Sequence, residues 1–154
     1  MSSNEKRRRR IASFVTKEAW RIRKSSCDIT MQEAFWIAWG RVKCRLKVLK
    51  SRITGVSYGF GQDVLRDIKD LQREQIKLAF YPEPQNPYDR NAMAVIAIIN
   101  GNRTAKIGYV PRHTAYQINE SIDRGKRVLA WFDGVVGQHI PNGMLGCRFN
   151  YVVV

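Results

Sequence analysis

The first fifty residues contain two stretches in which apolar residues recur every three or four positions, the spacing of one face of an α-helix. The first stretch spans residues 5–24, and its apolar positions are Ile11, Phe14, Val15, Ala19 and Ile22. Basic side chains surround this narrow stripe, so we predict an amphipathic and strongly basic helix. We expect the four arginines at residues 7–10 to fray at its start. The polar residues 25–28 predict a break after it.

A second helix is predicted over residues 30–48. Thr30 and Glu33 have the spacing of a capping box, in which the hydroxyl accepts from the backbone N–H of Glu33 and the glutamate reaches back. Its apolar face comprises Met31, Phe35, Ala38, Val42 and Leu46. Trp36 and Trp39 widen that face, which indicates that the helix packs against something. The pattern is compatible with a hairpin of the two helices and with one helix docked on the following domain.

From Ile53 onward the period shortens and strand-forming residues dominate. Six strands are predicted, at residues 53–58, 76–81, 92–99, 105–110, 126–132 and 145–154. Two short helices are predicted at residues 62–72 and 113–124, the second ended by Gly125. Residues 82–91 contain three prolines within six positions, which excludes helix and central strand. We therefore predict an α+β protein: a basic helical extension, residues 1–50, followed by a small β-barrel domain with one or two helices, residues 51–154.

The net charge indicates a polyanionic partner. The chain has 27 Lys and Arg against 13 Asp and Glu, a formal charge of +14. Residues 1–50 contain 14 basic and 4 acidic side chains and so carry +10, whereas residues 51–154 contain 13 and 9 and carry +4. Nucleic acid and anionic membrane surfaces are the usual partners of such a charge. Most of the signal lies in the predicted helical extension.

Other classes of function find little support in the sequence. Cys27, Cys44 and Cys147 are odd in number and widely spaced, without a paired motif or a histidine cluster, so we expect neither disulfides nor a metal site. No apolar run approaches 18 residues and no signal-peptide pattern is present, which favours a cytoplasmic protein without a membrane partner. His113 and His139 are isolated, and no phosphate loop or nucleophile motif occurs. We expect a binding protein, without enzymatic activity or a cofactor.

The most informative residues are the run Asn-Pro-Tyr-Asp-Arg-Asn-Ala at 86–92 and the run Ile-Gly-Tyr-Val-Pro-Arg at 107–112, preceded by Gly-Val-Ser-Tyr at 55–58. In order and spacing these runs resemble the HIRAN domain family over roughly residues 52–154. The resemblance implies an OB-like barrel that binds single-stranded DNA and recognises its free 3′-hydroxyl end. The preceding helix faintly resembles segments found before such domains in small stand-alone proteins of bacteria and their phages.

The resemblance also implies roles for six residues. Tyr58 and Tyr88 correspond to aromatic platforms that stack on bases, and Asp89 corresponds to a carboxylate that accepts a hydrogen bond from the 3′-hydroxyl. Asn86 would contact the end or shape the loop, and Arg112 would lie near phosphates. Tyr109 stands where the best-known member has a histidine, and would donate a hydrogen bond or stack.

Simpler interpretations of these residues stay open. Aspartate is a common turn former, and Asp89 can close an Asx turn, so the simpler interpretation of this residue is structural. Tyr88, which follows a proline, is compatible with a place in the core. Arg112 is compatible with a solvated charge after a strand.

The basic extension is the second candidate for DNA contact, since Lys and Arg neutralise phosphates and release counterions. The candidate arm residues are Arg7, Arg8, Arg9, Arg10, Arg41, Lys43, Arg45 and Lys47. A solubilising arm is the simpler interpretation. The alternative function is that of a phage or mobile-element protein that inhibits or redirects a host nucleoprotein machine, such as a defence nuclease. Trp20, Trp36 and Trp39 would anchor that interface.

Overall fold

A computed structural model describes residues 2–43 and 47–154 of the chain. Within those residues it has four α-helices and six strands, in this order along the chain: α1 (Ser3–Lys24), α2 (Met31–Val42), β1 (Leu49–Arg52), α3 (Gly61–Ile68), β2 (Ile76–Pro82), β3 (Met93–Ile99), β4 (Arg103–Tyr109), α4 (Arg112–Asp123), β5 (Val128–Val136) and β6 (Gly146–Val153). No helix in the described part of the chain combines the length and apolar character needed to cross a bilayer. The predicted α+β class, with helices before the barrel region, is confirmed.

The strands form two antiparallel three-stranded sheets, with the orders β1-β6-β5 and β2-β3-β4. The two sheets do not close into one continuous hydrogen-bonded barrel. Instead, irregular segments join them on two sides. The turn at residues 100–102 between β3 and β4 is the predicted hairpin connection, with Asn100 and Gly101 both at positive φ.

The first joint lies just after β1. The backbone N–H of Thr54 donates to the carbonyl of Tyr109 and the N–H of Tyr109 donates to the carbonyl of Thr54, both at 2.8 Å. The predicted strand at 53–58 is therefore wrong in extent, because the strand proper is Leu49–Arg52 and pairs with β6. Gly55 has a φ of +70° and starts a turn, which ends the extended backbone.

The second joint is the linker between α1 and α2. The carbonyl of Ser25 accepts from the N–H of Leu78 in β2 and from the N–H of Phe132 in β5, each at 3.3 Å. Ser25 and Ser26 are both buried, and the Ser25 hydroxyl donates to the carbonyl of Arg73. The linker thus bridges the two sheets on the side opposite β1.

The boundaries of the two N-terminal helices differ from the prediction. Ser2 caps α1 by accepting from the N–H of Glu5 at 3.2 Å, so the arginines at 7–10 are helical and the expected fraying is wrong. The capping box of Thr30 and Glu33 is confirmed at the start of α2. This helix ends at Val42, earlier than predicted; Leu46 of its predicted apolar face lies outside the described residues.

Two hydrophobic clusters share strand β5. Alternate residues of a strand point to opposite faces, and Val128, Ala130 and Phe132 belong to the cluster between the sheets. Leu129 and Trp131 point the other way and pack with the apolar stripes of α1 and α2. Both helices therefore pack together on the outer face of this strand, so the structure combines the hairpin of helices with docking on the following domain.

We expect the helices and the sheets to unfold together. Ile22 is fully buried in the cluster beneath β5, so Ile22→Ala should lower the free energy of unfolding by about 2–5 kcal/mol, the usual cost of a cavity. Phe14→Ala, on the exposed side of the same helix, should change it by less than about 0.5 kcal/mol. Urea unfolding followed by both circular dichroism and tryptophan fluorescence measures this. Two separate transitions would show that the helices fold independently.

Candidate nucleic-acid interface

An open groove of about 1320 Å³ lies beside strand β4. Its walls are the turn at residues 54–60, the start of α3, the loop at residues 86–92 and the strand itself. Helix α3 lies along β4, since Asp67 at its end pairs with Arg103 at the start of the strand at 2.9 Å. We call this depression the aromatic groove, because four aromatic side chains line it: Tyr58, Phe60, Tyr88 and Tyr109.

Three of these side chains are strongly exposed: Tyr58, Phe60 and Tyr88, with 82%, 80% and 89% of their surfaces accessible. Tyr88 is therefore not a core residue, which removes the simpler interpretation of that position. Rings held in water by a rigid backbone offer flat apolar surfaces to a ligand. The groove brings together all six residues predicted for the site: Tyr58, Asn86, Tyr88, Asp89, Tyr109 and Arg112.

Asn86 organises the loop that carries Tyr88 and Asp89. Its Oδ1 accepts from the backbone N–H of Tyr88 at 3.0 Å and from that of Asp89 at 3.3 Å. Its Nδ2 donates to Glu83 Oε2 at 3.1 Å, which fixes the orientation of the amide. In this structure Asn86 shapes the turn, one of its two predicted roles.

Glu83 connects that loop to strand β4. Its carboxylate accepts from the hydroxyl of Tyr109 and from the ammonium of Lys106, both at 2.9 Å. The hydrogen bond from Lys106 is the main reason that the pKa of Glu83 is lowered. The hydrogen bond with Tyr109 is the main reason that the pKa of Lys106 is raised. The Lys106 ammonium also lies 4.2 Å from the centre of the Tyr109 ring, so Lys106 and Glu83 together hold Tyr109 through its ring and its hydroxyl.

The two carboxylate oxygens of Asp89 have different surroundings. Oδ1 accepts from the backbone N–H of Asn91 at 2.9 Å, which is the Asx turn that the sequence allowed. Oδ2 lies 3.7 Å from Nε of Arg112, beyond hydrogen-bonding distance. Arg112 is the first residue of α4, and its side chain is 81% exposed. The turn therefore uses one oxygen of Asp89, and among the described residues the other is paired only with the charge of Arg112.

The candidate arm residues have different surroundings. Arg7, Arg8, Arg9 and Arg10 are exposed on the first turns of α1, and Lys47 is exposed after α2. The Lys43 ammonium lies 5.3 Å from the centre of the Trp39 ring. Arg45 lies outside the described residues.

Arg41 connects the two helices. Its guanidinium pairs with Glu18 of α1, which also pairs with Arg21 at 2.6 Å. Burial raises the pKa of Glu18, but the hydrogen bond and charge of Arg21 and the charge of Arg41 outweigh it and hold that pKa below its ordinary value. This pair links α1 to α2 and leaves Arg41 less free for phosphate than the arginines of the first turns.

Three residues of the site were not anticipated from the sequence: Phe60 and Lys106, which line the groove, and Glu83, which accepts hydrogen bonds from Asn86, Lys106 and Tyr109. Phe60 could have been proposed, since it lies in the Gly-rich turn directly after Tyr58, where the chain leaves the predicted strand. Glu83 and Lys106 are 23 residues apart and carry no local pattern, so only the pairing of strands reveals them.

Comparison with known families agrees with this geometry. The sequence profile described as the HIRAN domain matches residues 46–150, which include β1 and most of β6. The chain belongs to the HIRAN domain family. The resemblance on residues 55–58, 86–92 and 107–112 is thereby confirmed. HIRAN domains are binding rather than catalytic domains, and the family indicates binding of DNA.

Solved structures add little to this assignment. A protein from Lactobacillus plantarum of known crystal structure is similar to this HIRAN domain, with 18% sequence identity and a TM-score of 0.43. The similarity covers 69% of this chain and 97% of that one. No curated protein matches the chain significantly.

The Glu83–Asn86 contact can be tested through stability, independently of any ligand. Asn86→Asp keeps the acceptor for the two backbone N–H groups but sets a carboxylate against Glu83, in place of a donor at 3.1 Å. Two adjacent carboxylates raise the pKa of one of them, so the loss of stability should grow as pH rises through that pKa and shrink on acidification. We expect a deficit relative to wild type of about 1–3 kcal/mol at pH 7.5 and less at pH 5, measured by thermal unfolding.

Asn86→Ala is the matched control, because it removes the acceptor and the donor together. Its deficit should be nearly independent of pH between the same limits. An aspartate variant with the same deficit at both pH values would show that Glu83 does not hold the Asn86 side chain.

Proposed function

We propose that this HIRAN domain captures the 3′-hydroxyl end of single-stranded DNA in the aromatic groove. The observation that carries the proposal is the pair of exposed rings, Tyr58 and Tyr88, on the same groove as the carboxylate of Asp89. Bases stack on such rings whatever their sequence, and each stack contributes about 1–3 kcal/mol. The proposed ligand is therefore a single strand without strong sequence preference.

The recognition of an end rests on Asp89. An ionised carboxylate only accepts hydrogen bonds, so its Oδ2 favours a terminal hydroxyl, which donates, over a terminal phosphate, which is negatively charged. The turn formed by its Oδ1 and Asn91 holds the group in place. Arg112, exposed and 3.7 Å from the same Oδ2, would neutralise the last internal phosphate.

We propose further that α1 contacts the DNA beyond the groove. Its first turns present four exposed arginines to solvent, while the later part of the helix is fixed in the second cluster by Val15, Ala19 and Ile22. A rigid basic surface binds the phosphate backbone without reading sequence.

The exposure of Trp20, Trp36 and Trp39 supports a second candidate, in which the helices hold a protein partner such as a host nucleoprotein machine. Indole rings anchor many protein interfaces. Under this alternative the arginines of α1 serve the same interface and not DNA.

The first test compares two ends on one strand. An oligonucleotide with a 3′-hydroxyl should bind wild type more tightly than the same strand with a 3′-phosphate, by about 1.5–3 kcal/mol, since a charged hydrogen bond is lost and repulsion is added. Asp89→Asn keeps the acceptor for Asn91 and should reduce the preference. Arg112→Gln should weaken both strands about equally. Competition binding measures all three proteins, and equal affinity of wild type for both ends would exclude end capture.

The second test changes charge and keeps the chain length, because a truncation of the helices would also remove the buried residues Ser25, Ser26 and Ile29. Replacing Arg7, Arg8, Arg9 and Arg10 together by Gln should lower the slope of log affinity against log salt by up to about 0.7 for each lost phosphate contact. The fourfold Lys variant keeps the charge and should keep the slope. An unchanged slope in the Gln variant would favour the protein-partner alternative.

A further inference from the structure

We infer that Phe60 forms a third stacking platform in the aromatic groove and binds the nucleotide on the 5′ side of the one held by Tyr58. The inference rests on the proposed function, since it extends the same strand along the same groove. Single exposed apolar side chains are common on proteins and imply nothing alone. Three further observations distinguish Phe60.

The first is the rigidity of its support. Phe60 precedes α3, and its carbonyl accepts the first helical hydrogen bond from Val64 at 3.0 Å. A Cβ on Gly61 would lie 2.6 Å from the carbonyl oxygen of Val56 and 2.8 Å from that of Ile107, so the backbone there is pressed against its neighbours. Gly59 has a φ of +62°, which favours glycine. A ring on such a support pays little entropy when a base stacks on it.

The second is its place along the groove. Asp89 lies beside Arg112 at the start of α4. Tyr109, three residues before Arg112, lies beside the turn that carries Tyr58. The backbone next to Phe60 packs on Ile107, two residues earlier again in β4. The order along the groove is therefore Asp89, Tyr58, Phe60, and a strand with its 3′ end at Asp89 runs toward Phe60 in the 5′ direction.

The third is spacing and charge. Residues two apart place their Cα atoms at most about 7 Å from each other, a distance that neighbouring bases of an extended strand can match. Beyond Phe60 the groove continues along β4 to Arg103, whose side chain is half exposed. Its surface pair with Asp67 is weak enough to be exchanged for a phosphate.

The experiment is a length series. Affinities of 3′-hydroxyl oligothymidines of two, three, four and five nucleotides are measured by competition for wild type, Phe60→Ala and Phe60→Trp. Wild type should gain affinity with each added stacked base. Phe60→Ala should leave the dinucleotide unchanged and weaken the longer strands by roughly 5- to 150-fold, which is the loss of one stacked base. Phe60→Trp should restore the gain.

Phe60→Leu keeps an apolar side chain without an aromatic face and should behave like the alanine variant, which separates stacking from general hydrophobic contact. Tyr88→Ala should weaken the binding of strands of every length, since the base it holds lies at the 3′ end.

A Phe60→Ala protein that matches wild type at all lengths, or whose affinity for the dinucleotide falls as much as that for longer strands, overturns the inference and leaves end capture intact. Wild type that binds none of the strands overturns both. Thermal unfolding confirms that each variant is folded, and Phe60, being exposed, tolerates the changes.

Discussion

The arrangement of the site depends on one close approach of two backbones. Thr54 and Tyr109 exchange two hydrogen bonds of 2.8 Å, and this exchange is possible only because Gly108 has no side chain. A Cβ there would lie 2.3 Å from the carbonyl oxygen of Thr54, far inside contact distance. The pair joins the two sheets at the groove and places the turn at 55–60 beside β4. Together with the close contact of Gly61 on Ile107, it fixes Tyr58 and Phe60 relative to strand β4.

A second joint explains why the helices belong to the same folding unit as the strands beside them. The single carbonyl of Ser25 accepts from both sheets, and Leu129 and Trp131 of β5 are covered by the helices. A carbonyl oxygen has two lone pairs and can satisfy two donors that would otherwise be unpaired at sheet edges. The basic charge of α1 is thereby displayed on a fixed surface. The basic charge of α1 can therefore be removed without disturbing the fold only by substitution of its exposed side chains.

Local patterns predicted much of the fold, and pairing between distant segments decided the rest. The capping box at Thr30 and the helix end at Gly125, whose φ is +77°, follow from chemistry within a few residues. Strand β1, with the sequence Leu-Lys-Ser-Arg, has no strand signal of its own and exists because β6 pairs with it. The apolar residues at 53 and 56 drew the predicted strand too far along the chain, since Ile53 packs into the core just after β1 and Val56 packs against it from a turn.

For the site, too, local patterns predicted some features and long-range geometry decided others, and Asp89 combines both. Residues 86–92 indicated a turn and, through the family, a ligand contact, and these interpretations looked like alternatives. The geometry makes them compatible, because one oxygen closes the turn at 2.9 Å while the other makes no hydrogen bond within the described part of the chain. The turn fixes the carboxylate, and a fixed acceptor discriminates better between a hydroxyl and a phosphate than a mobile one, since it cannot move away from the repelled group. A turn residue is therefore well suited to read the end of a strand.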